Sequence, residues 1–90
     1  MIKVIYKPSF RKAYKRLHLK EKEVVDMAIN AVIDNPGLGE SKKGELAGLL
    51  VYKFKVNKQQ KLLAYTYDKK NIVLAAIGSH ENFYRDLKRS

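Results

Sequence analysis

With 90 residues, 46% of them hydrophobic, the chain predicts one domain, 1–90, with a modest core, and composition argues against intrinsic disorder. Zero cysteines exclude disulfides and thiolate metal sites and fit a reducing, cytoplasmic setting, and two histidines, His18 and His80, without a nearby acidic cluster argue against zinc. Nineteen Lys+Arg against nine Asp+Glu leave a net charge of +10, which favours a polyanionic partner over a neutral one, with a merely solvated basic surface as the alternative.

The amino-terminal "MIKVIYKPSF" is charged too early and too short in its apolar run for a signal peptide, and no stretch reaches membrane-spanning length. Met1 to Tyr6 alternate as a short strand does. Pro8 and Ser9 then open a helix, because proline is tolerated in a first turn. Along it Phe10, Ala13, Tyr14 and Leu17 recur at helical spacing, while Arg11, Lys12, Lys15 and Arg16 fall largely outside that stripe and form a basic outer face. In "EKEVVDMAINAVIDNPG", Val24, Val25, Ala28, Ile29, Val32 and Ile33 give a second helix a broad apolar face. Glu21 and Glu23 suit its amino end, and "NPG" ends it. The two helices read as a hairpin, and "LGESKKGELAG" as a turn-rich return to the sheet.

The strands follow. "LLVYKFKV" alternates, with Leu50, Tyr52, Phe54 and Val56 on one side and Val51, Lys53 and Lys55 on the other. "NKQQ" predicts a hairpin turn flanked by Asn57 and Gln60, which sets Lys53 opposite Ala64 and Lys55 opposite Leu62. Tyr52 and Phe54 then share a face with Leu63, Tyr65 and Tyr67. After "KKN", "IVLAAIG" is apolar throughout, as an inner strand covered on both faces would be. "HENFYRDLKRS" predicts a short carboxy-terminal helix. The fold class is α+β, in the order β-α-α-β-β-β, with an antiparallel sheet packed on a helical hairpin. The aromatic side of the hairpin meets the helices, and the two lysines stand on the opposite, open face.

Three features carry possible chemistry. Lys53 and Lys55 present two ammonium groups roughly 6–7 Å apart along one side of a strand, a pair able to hold a phosphate or, equally, to guard a strand against edge pairing. His80 follows Gly78 and Ser79 at the end of a strand, where an imidazole serves as a proton donor or acceptor, or simply as a cap. Tyr84, four residues on, would share its helical face and could stack on an unpaired base or pack with Phe83. His18 reads as surface and Asp68 as a turn residue. No glycine-rich phosphate loop, nucleophile elbow or metal-binding spacing is present. An enzyme with this inventory needs neither metal nor cofactor, and RNA cleavage through the ribose 2′-hydroxyl suits it because the substrate carries its own nucleophile.

The element order, "VYKFKV" leading through a turn into "LLAYTY", and "IVLAAIGSHENFYRDLKR" resemble the RelE/ParE superfamily of type II toxin–antitoxin toxins over nearly the whole chain. In RelE-like members mRNA is cut in the ribosomal A site, and "YKFK" matches the strand whose lysines stabilise the scissile phosphate, which implies that role for Lys53 and Lys55. "GSH" with an aromatic four residues later is similar to the YafQ-type variant, implying His80 as the general acid and Tyr84 beside the substrate base. The resemblance also implies RNA contacts from Lys58, Lys61 and Arg85, ribosomal RNA contacts from Arg11, Lys12, Lys15 and Arg16, and a cognate antitoxin as protein partner. The chain departs from the pattern at Leu62, where many relatives carry an arginine, and it shows no evident general base. ParE-like relatives, which poison DNA gyrase, share the fold without the catalytic set, so gyrase inhibition is the alternative, and a simple RNA-binding module a third.

Overall fold

The computed structural model describes residues 2–41 and 48–79. Strand β1 (Lys3–Tyr6) leads into helix α1 (Pro8–Lys15), helix α2 (Leu19–Asp34) and a single 3-10 turn (Pro36–Leu38). Strands β2 (Glu40–Ser41), β3 (Leu50–Val56), β4 (Gln59–Tyr67) and β5 (Asn71–Ser79) complete one five-stranded sheet in the order β1-β5-β4-β3-β2. The expected carboxy-terminal helix lies outside the described residues. Among those residues no helix is long and apolar enough to cross a membrane.

The helices form where the apolar spacing places them. Pro8 occupies the first turn of α1, where a missing N–H is harmless, and Phe10 is 1% exposed. Ala13, Tyr14 and Leu17 pack beside it. Lys12 and Lys15 sit in the last turn of α1, where cations complement the helix dipole. The first turn of α2 is closed by Glu21, whose Oε1 accepts the His18 N–H at 3.2 Å. Val25, Ala28, Ile29 and Val32 form its buried face, and Asn35 caps it before Pro36.

Both helices cover one face of the sheet. Phe10, Val25, Ala28, Ile29 and Val32 cluster there with Leu63, Tyr65, Ile72, Leu74 and Ile77, and Tyr52 and Phe54 pack at the margin. Tyr65 is fully buried, and its hydroxyl is satisfied twice: it donates to the Pro36 carbonyl at 2.7 Å and accepts the Gly39 N–H at 2.8 Å. Burial of the ring raises the Tyr65 pKa, with the Gly39 hydrogen bond opposing. Gly39 is required by this contact, since a Cβ there would lie 2.6 Å from the Tyr65 hydroxyl oxygen.

Five features differ from the sequence-based expectation. The sheet is mixed, not antiparallel: β1 runs parallel to β5, with Tyr6 beside Leu74. Strands β3 and β5 point the same way because each is antiparallel to β4, and β1 joins the free edge of β5 in that direction. The hairpin register is displaced by two residues, pairing Lys53 with Leu62 and Lys55 with Gln60. Its turn is Asn57 and Lys58 alone, at φ 50° and 70°, the left-handed pair that a two-residue hairpin needs to follow the strand twist. A displacement of two leaves every side chain on its expected face. Strand β2 falls inside the segment expected to be a turn.

The fourth is a bulge in β5. Ala64 pairs with Ala76 and Tyr65 with Leu74, so Ala75 has no counterpart on β4. The extra residue inverts the alternation, which is why Leu74 and Ile77, at an odd separation, both reach the helix-side core. Ser9 Oγ donates to the Ala75 carbonyl at 2.8 Å, tying the start of α1 to the bulge. The reverse face is also less open than expected. Val51, Leu62, Ala64 and Ala75 form a second buried cluster on it, which accounts for the apolar character of β5 on both sides.

Candidate functional site

Past Val51, the reverse face of β3 changes from apolar to charged. Lys53 and Lys55 follow at alternate positions, both exposed, while Tyr52 and Phe54 stack on each other on the helix side with ring centroids 6.1 Å apart. The strand thus divides its own residues, aromatic rings toward the core and ammonium groups toward solvent. Lys58 extends the positive charge to the exposed hairpin tip.

A carboxylate joins them. Glu40 on β2 pairs with Val51, so the two side chains leave the sheet on the same face, and Lys53 is the diagonal neighbour. Lys53 Nζ stands 3.6 Å from Glu40 Oε2, with 45% and 62% of the two side chains exposed. Nothing in "LGESKKGELAG" marks Glu40 beforehand, because its position depends on a two-residue strand pairing that leaves no alternating pattern.

Lys61 goes elsewhere. It pairs with Phe54, points to the helix side, and its Nζ lies 3.9 Å from Glu21 Oε2, both side chains about one-fifth exposed. That pair borders a cleft of about 210 Å³ lined mostly by apolar groups, among them Leu17, Val25, Val56 and Ile77, with Arg16 at its rim. Arg11, Lys12, Lys15 and Arg16 are exposed on the α1 side. The sheet therefore separates two basic regions: Lys53 and Lys55 on the reverse face, and the α1 cations with Lys61 on the helix side.

Strand β5 ends at Ser79, which stands beside Lys61 in the row that continues to Phe54. Two strand spacings, about 10 Å, separate Ser79 from the level of the two lysines. His80, Tyr84 and Arg85, as well as Phe83, lie outside the described residues. His18 is exposed at the start of α2, as expected of a surface histidine. Asp68 serves the turn before β5: its Oδ1 accepts the Lys70 and Asn71 N–H groups, each at 2.8 Å, and these bonds lower its pKa. Among the described residues no three histidine or carboxylate side chains gather as a metal site requires.

Residues 4–88 match the family described as ParE-like toxin of type II bacterial toxin-antitoxin system. No curated protein matches the sequence significantly. Among solved structures the chain is similar to the RelBE2 toxin–antitoxin complex from Mycobacterium tuberculosis, with a TM-score of 0.73 and 19% identity, over 88% of this chain and 98% of that one. It is similar to the intact Escherichia coli RelBE toxin–antitoxin complex, with a TM-score of 0.68 and 17% identity, over 88% of this chain and 96% of that one. Escherichia coli YafQ is a more distant likeness, at a TM-score of 0.54 and 19% identity, over 90% of this chain and 96% of that one. At these identities the structures establish a shared fold.

Proposed function

The chain belongs to the ParE-like toxins of type II bacterial toxin–antitoxin systems, and on that footing we propose that it is a cytoplasmic endoribonuclease that cuts mRNA on the ribosome and so stops translation. Cleavage would proceed through the ribose 2′-hydroxyl without a metal or cofactor. The protein has to hold the scissile phosphate, neutralise the charge that grows on it, and protonate the leaving 5′ oxygen.

The observation that carries the reading is the exposed pair Lys53 and Lys55, alternating with core-packed Tyr52 and Phe54 on one strand. Two long, flexible ammonium groups leaving one side of a strand can converge on a single phosphate, which scattered surface cations cannot do. In this reading they bind the non-bridging oxygens. His80 is the general acid and Tyr84 stacks on a substrate base. His80 follows directly on Ser79, which stands two strands across from the lysine pair. Lys58, Lys61 and Arg85 would contact the RNA, and Arg11, Lys12, Lys15 and Arg16 the ribosomal RNA, so the helix-side cations would serve docking and the reverse face chemistry. A cognate antitoxin would cover this basic surface, in keeping with the toxin–antitoxin complexes that share the fold.

The ParE-like description of the matching family supports a second reading, a DNA gyrase inhibitor without nuclease activity. One experiment separates the two. Transcript ends are mapped on translating ribosomes after induction of wild type, His80→Ala and the Lys53→Ala/Lys55→Ala double variant, in parallel with a gyrase supercoiling assay. The nuclease reading expects new 3′ ends inside codons with wild type and a loss of about 100-fold or more in each variant. Intact transcripts together with blocked supercoiling would transfer the assignment to gyrase.

A further inference from the structure

The helix-side cleft takes no part in phosphate chemistry on the reverse face, yet it has the build of a binding site. Among the described residues its floor is Val25, Val56 and Ile77, only 1%, 4% and 9% exposed. Side chains packed this closely keep the floor in one shape without a ligand. Ala13 and Leu17, one helical turn apart on α1, form a wall, and Arg16, Lys61 and Glu21 stand at the lip.

The lip carries charge of both signs. Lys61 and Glu21 hold each other at 3.9 Å, so neither calls for a counter-ion, and Glu21 repels an anionic group entering between them. A carboxylate on an apolar tail therefore suits the interior poorly. A neutral ring whose edge offers both acceptors and donors suits it well, since lysine and arginine donate and glutamate accepts. Beyond the lip the surface is positive again. Lys12 and Arg16 lie one turn apart beside the wall, with Arg11 and Lys15 exposed on the same helix. A flat, neutral ring between anionic links is what an unpaired base of RNA presents. Size narrows the choice of base. An apolar cavity of roughly 150 Å³ takes a benzene ring. At about 210 Å³ the cleft has room for a six-membered ring with its exocyclic groups, a pyrimidine in preference to a bicyclic purine.

We propose that this cleft binds one unpaired pyrimidine of an RNA strand. The ring lies against Leu17, Val25 and Ile77, its edge meets Lys61 and Glu21, and the flanking phosphates meet Lys12 and Arg16. The site rests on RNA as the partner in the nuclease reading, and not on cleavage. It gives the α1 cations a point of register: phosphate contacts supply affinity, and an inserted base decides where along the RNA the protein sits. The cleft and the Lys53–Lys55 pair lie on opposite faces of the sheet. The base held here is therefore separate from the one beside the scissile bond.

The test is fluorescence-anisotropy titration of the full-length protein against a short RNA duplex in three forms: fully paired, with one bulged uridine, and with an abasic ribose replacing that uridine. The bulged uridine should bind about tenfold tighter than either control, and a bulged adenosine should fall between. In wild-type protein the methyl signals of Leu17, Val25, Val56 and Ile77 should shift with the bulged RNA and stay still with the abasic one. Ala13→Phe, which fills the cleft, should erase the preference for the bulge while affinity for the paired duplex holds. Arg16→Gln should instead weaken all three RNAs alike and lower the salt slope by about one. Equal affinity for the three forms, with the cleft methyls unmoved, overturns the assignment and leaves RNA binding standing. Cleft methyls that shift only with an acidic, leucine-bearing peptide would give the cleft to a protein partner and overturn it as well. Failure of all three RNAs to bind at low salt overturns the RNA reading, and this site with it.

Discussion

The two faces of the sheet are built from the same strands, one residue in turn to each side, yet they do opposite things. The helix face collects Leu63, Tyr65, Ile72, Leu74 and Ile77 under both helices, with no charged group among the buried side chains of the described residues. The reverse face begins in the same way, with Val51, Leu62, Ala64 and Ala75, then gives way within β3 to Lys53 and Lys55 and, from β2, Glu40. The pleat thus lets a small chain separate what holds it together from the charge it presents to solvent. On the proposed function, folding and chemistry occupy alternate positions of one strand, and substitutions one residue apart should fail for different reasons.

The largest effects should come from the helix face. Phe10→Ala removes a ring that is 1% exposed and that meets Tyr6 and Tyr14 at centroid distances of 5.8 and 6.1 Å. It should lower stability by about 3–5 kcal/mol in urea denaturation, a large part of the total for a domain this size. A loss near zero would mean that the helices do not pack on the sheet as described.

On the reverse face the prediction inverts. The Lys53→Ala/Lys55→Ala variant removes exposed side chains and should leave stability within about 0.5 kcal/mol of wild type. Its cleavage, on the proposed function, should fall by about 100-fold or more, equivalent to about 3 kcal/mol of transition-state stabilisation. A variant that unfolds instead would place the lysines in the architecture and erase the contrast between the faces.

A subtler effect lies where the helix face meets the loop after α2. Tyr65→Phe leaves the ring in place but strips the Pro36 carbonyl and the Gly39 N–H of their shared partner, and should lower stability by about 1–3 kcal/mol. Gly39→Ala should have a similar effect by a different route, since its Cβ would press on the Tyr65 hydroxyl from 2.6 Å. The Tyr65 pKa is raised by burial, so the folded state favours the neutral phenol. Its contribution is fully present below the ordinary tyrosine range and is lost as pH climbs toward the folded value, because the unfolded chain releases the proton first. Tyr14, raised by its hydrogen bond to Asp26, adds to the same alkaline limb. Tyr65→Phe should therefore shallow the alkaline fall in melting temperature without abolishing it, and an unchanged slope would place its cause elsewhere.

The contrast between faces also explains what could be read from the sequence. Periodicity is local, so the Phe10 stripe, the α2 face and the division of β3 into aromatic and lysine sides were all legible before any coordinates. Even the hairpin error was harmless to the site, because a register displaced by two preserves the face of every residue. What could not be read joins distant parts of the chain. The β1–β5 pairing, the Ser9 bond to the Ala75 carbonyl and the Tyr65 link to Pro36 bring together residues that no local pattern relates. Glu40 belongs with these, since it reaches Lys53 only through a two-residue strand. The bulge at Ala75 was hidden for another reason: both neighbours of the inserted position are small or apolar, so inverting the alternation leaves no trace in composition.

The smallest predicted effect probes the hairpin that carries both faces. Lys58 holds φ 70° in the second position of a two-residue turn, where most side chains crowd the backbone and glycine does not. Lys58→Gly should therefore stabilise the protein by up to about 1 kcal/mol, less than the full left-handed penalty because glycine also frees the unfolded chain. The same change removes an exposed cation from the hairpin tip. On the proposed function RNA affinity should weaken modestly and lose some of its salt dependence, since one phosphate contact fewer releases about one counterion fewer. A more stable protein that binds RNA slightly less well would tie the strained turn to function, with lysine retained there for its charge. Unchanged affinity would remove Lys58 from the proposed RNA contacts and leave its turn a purely structural feature.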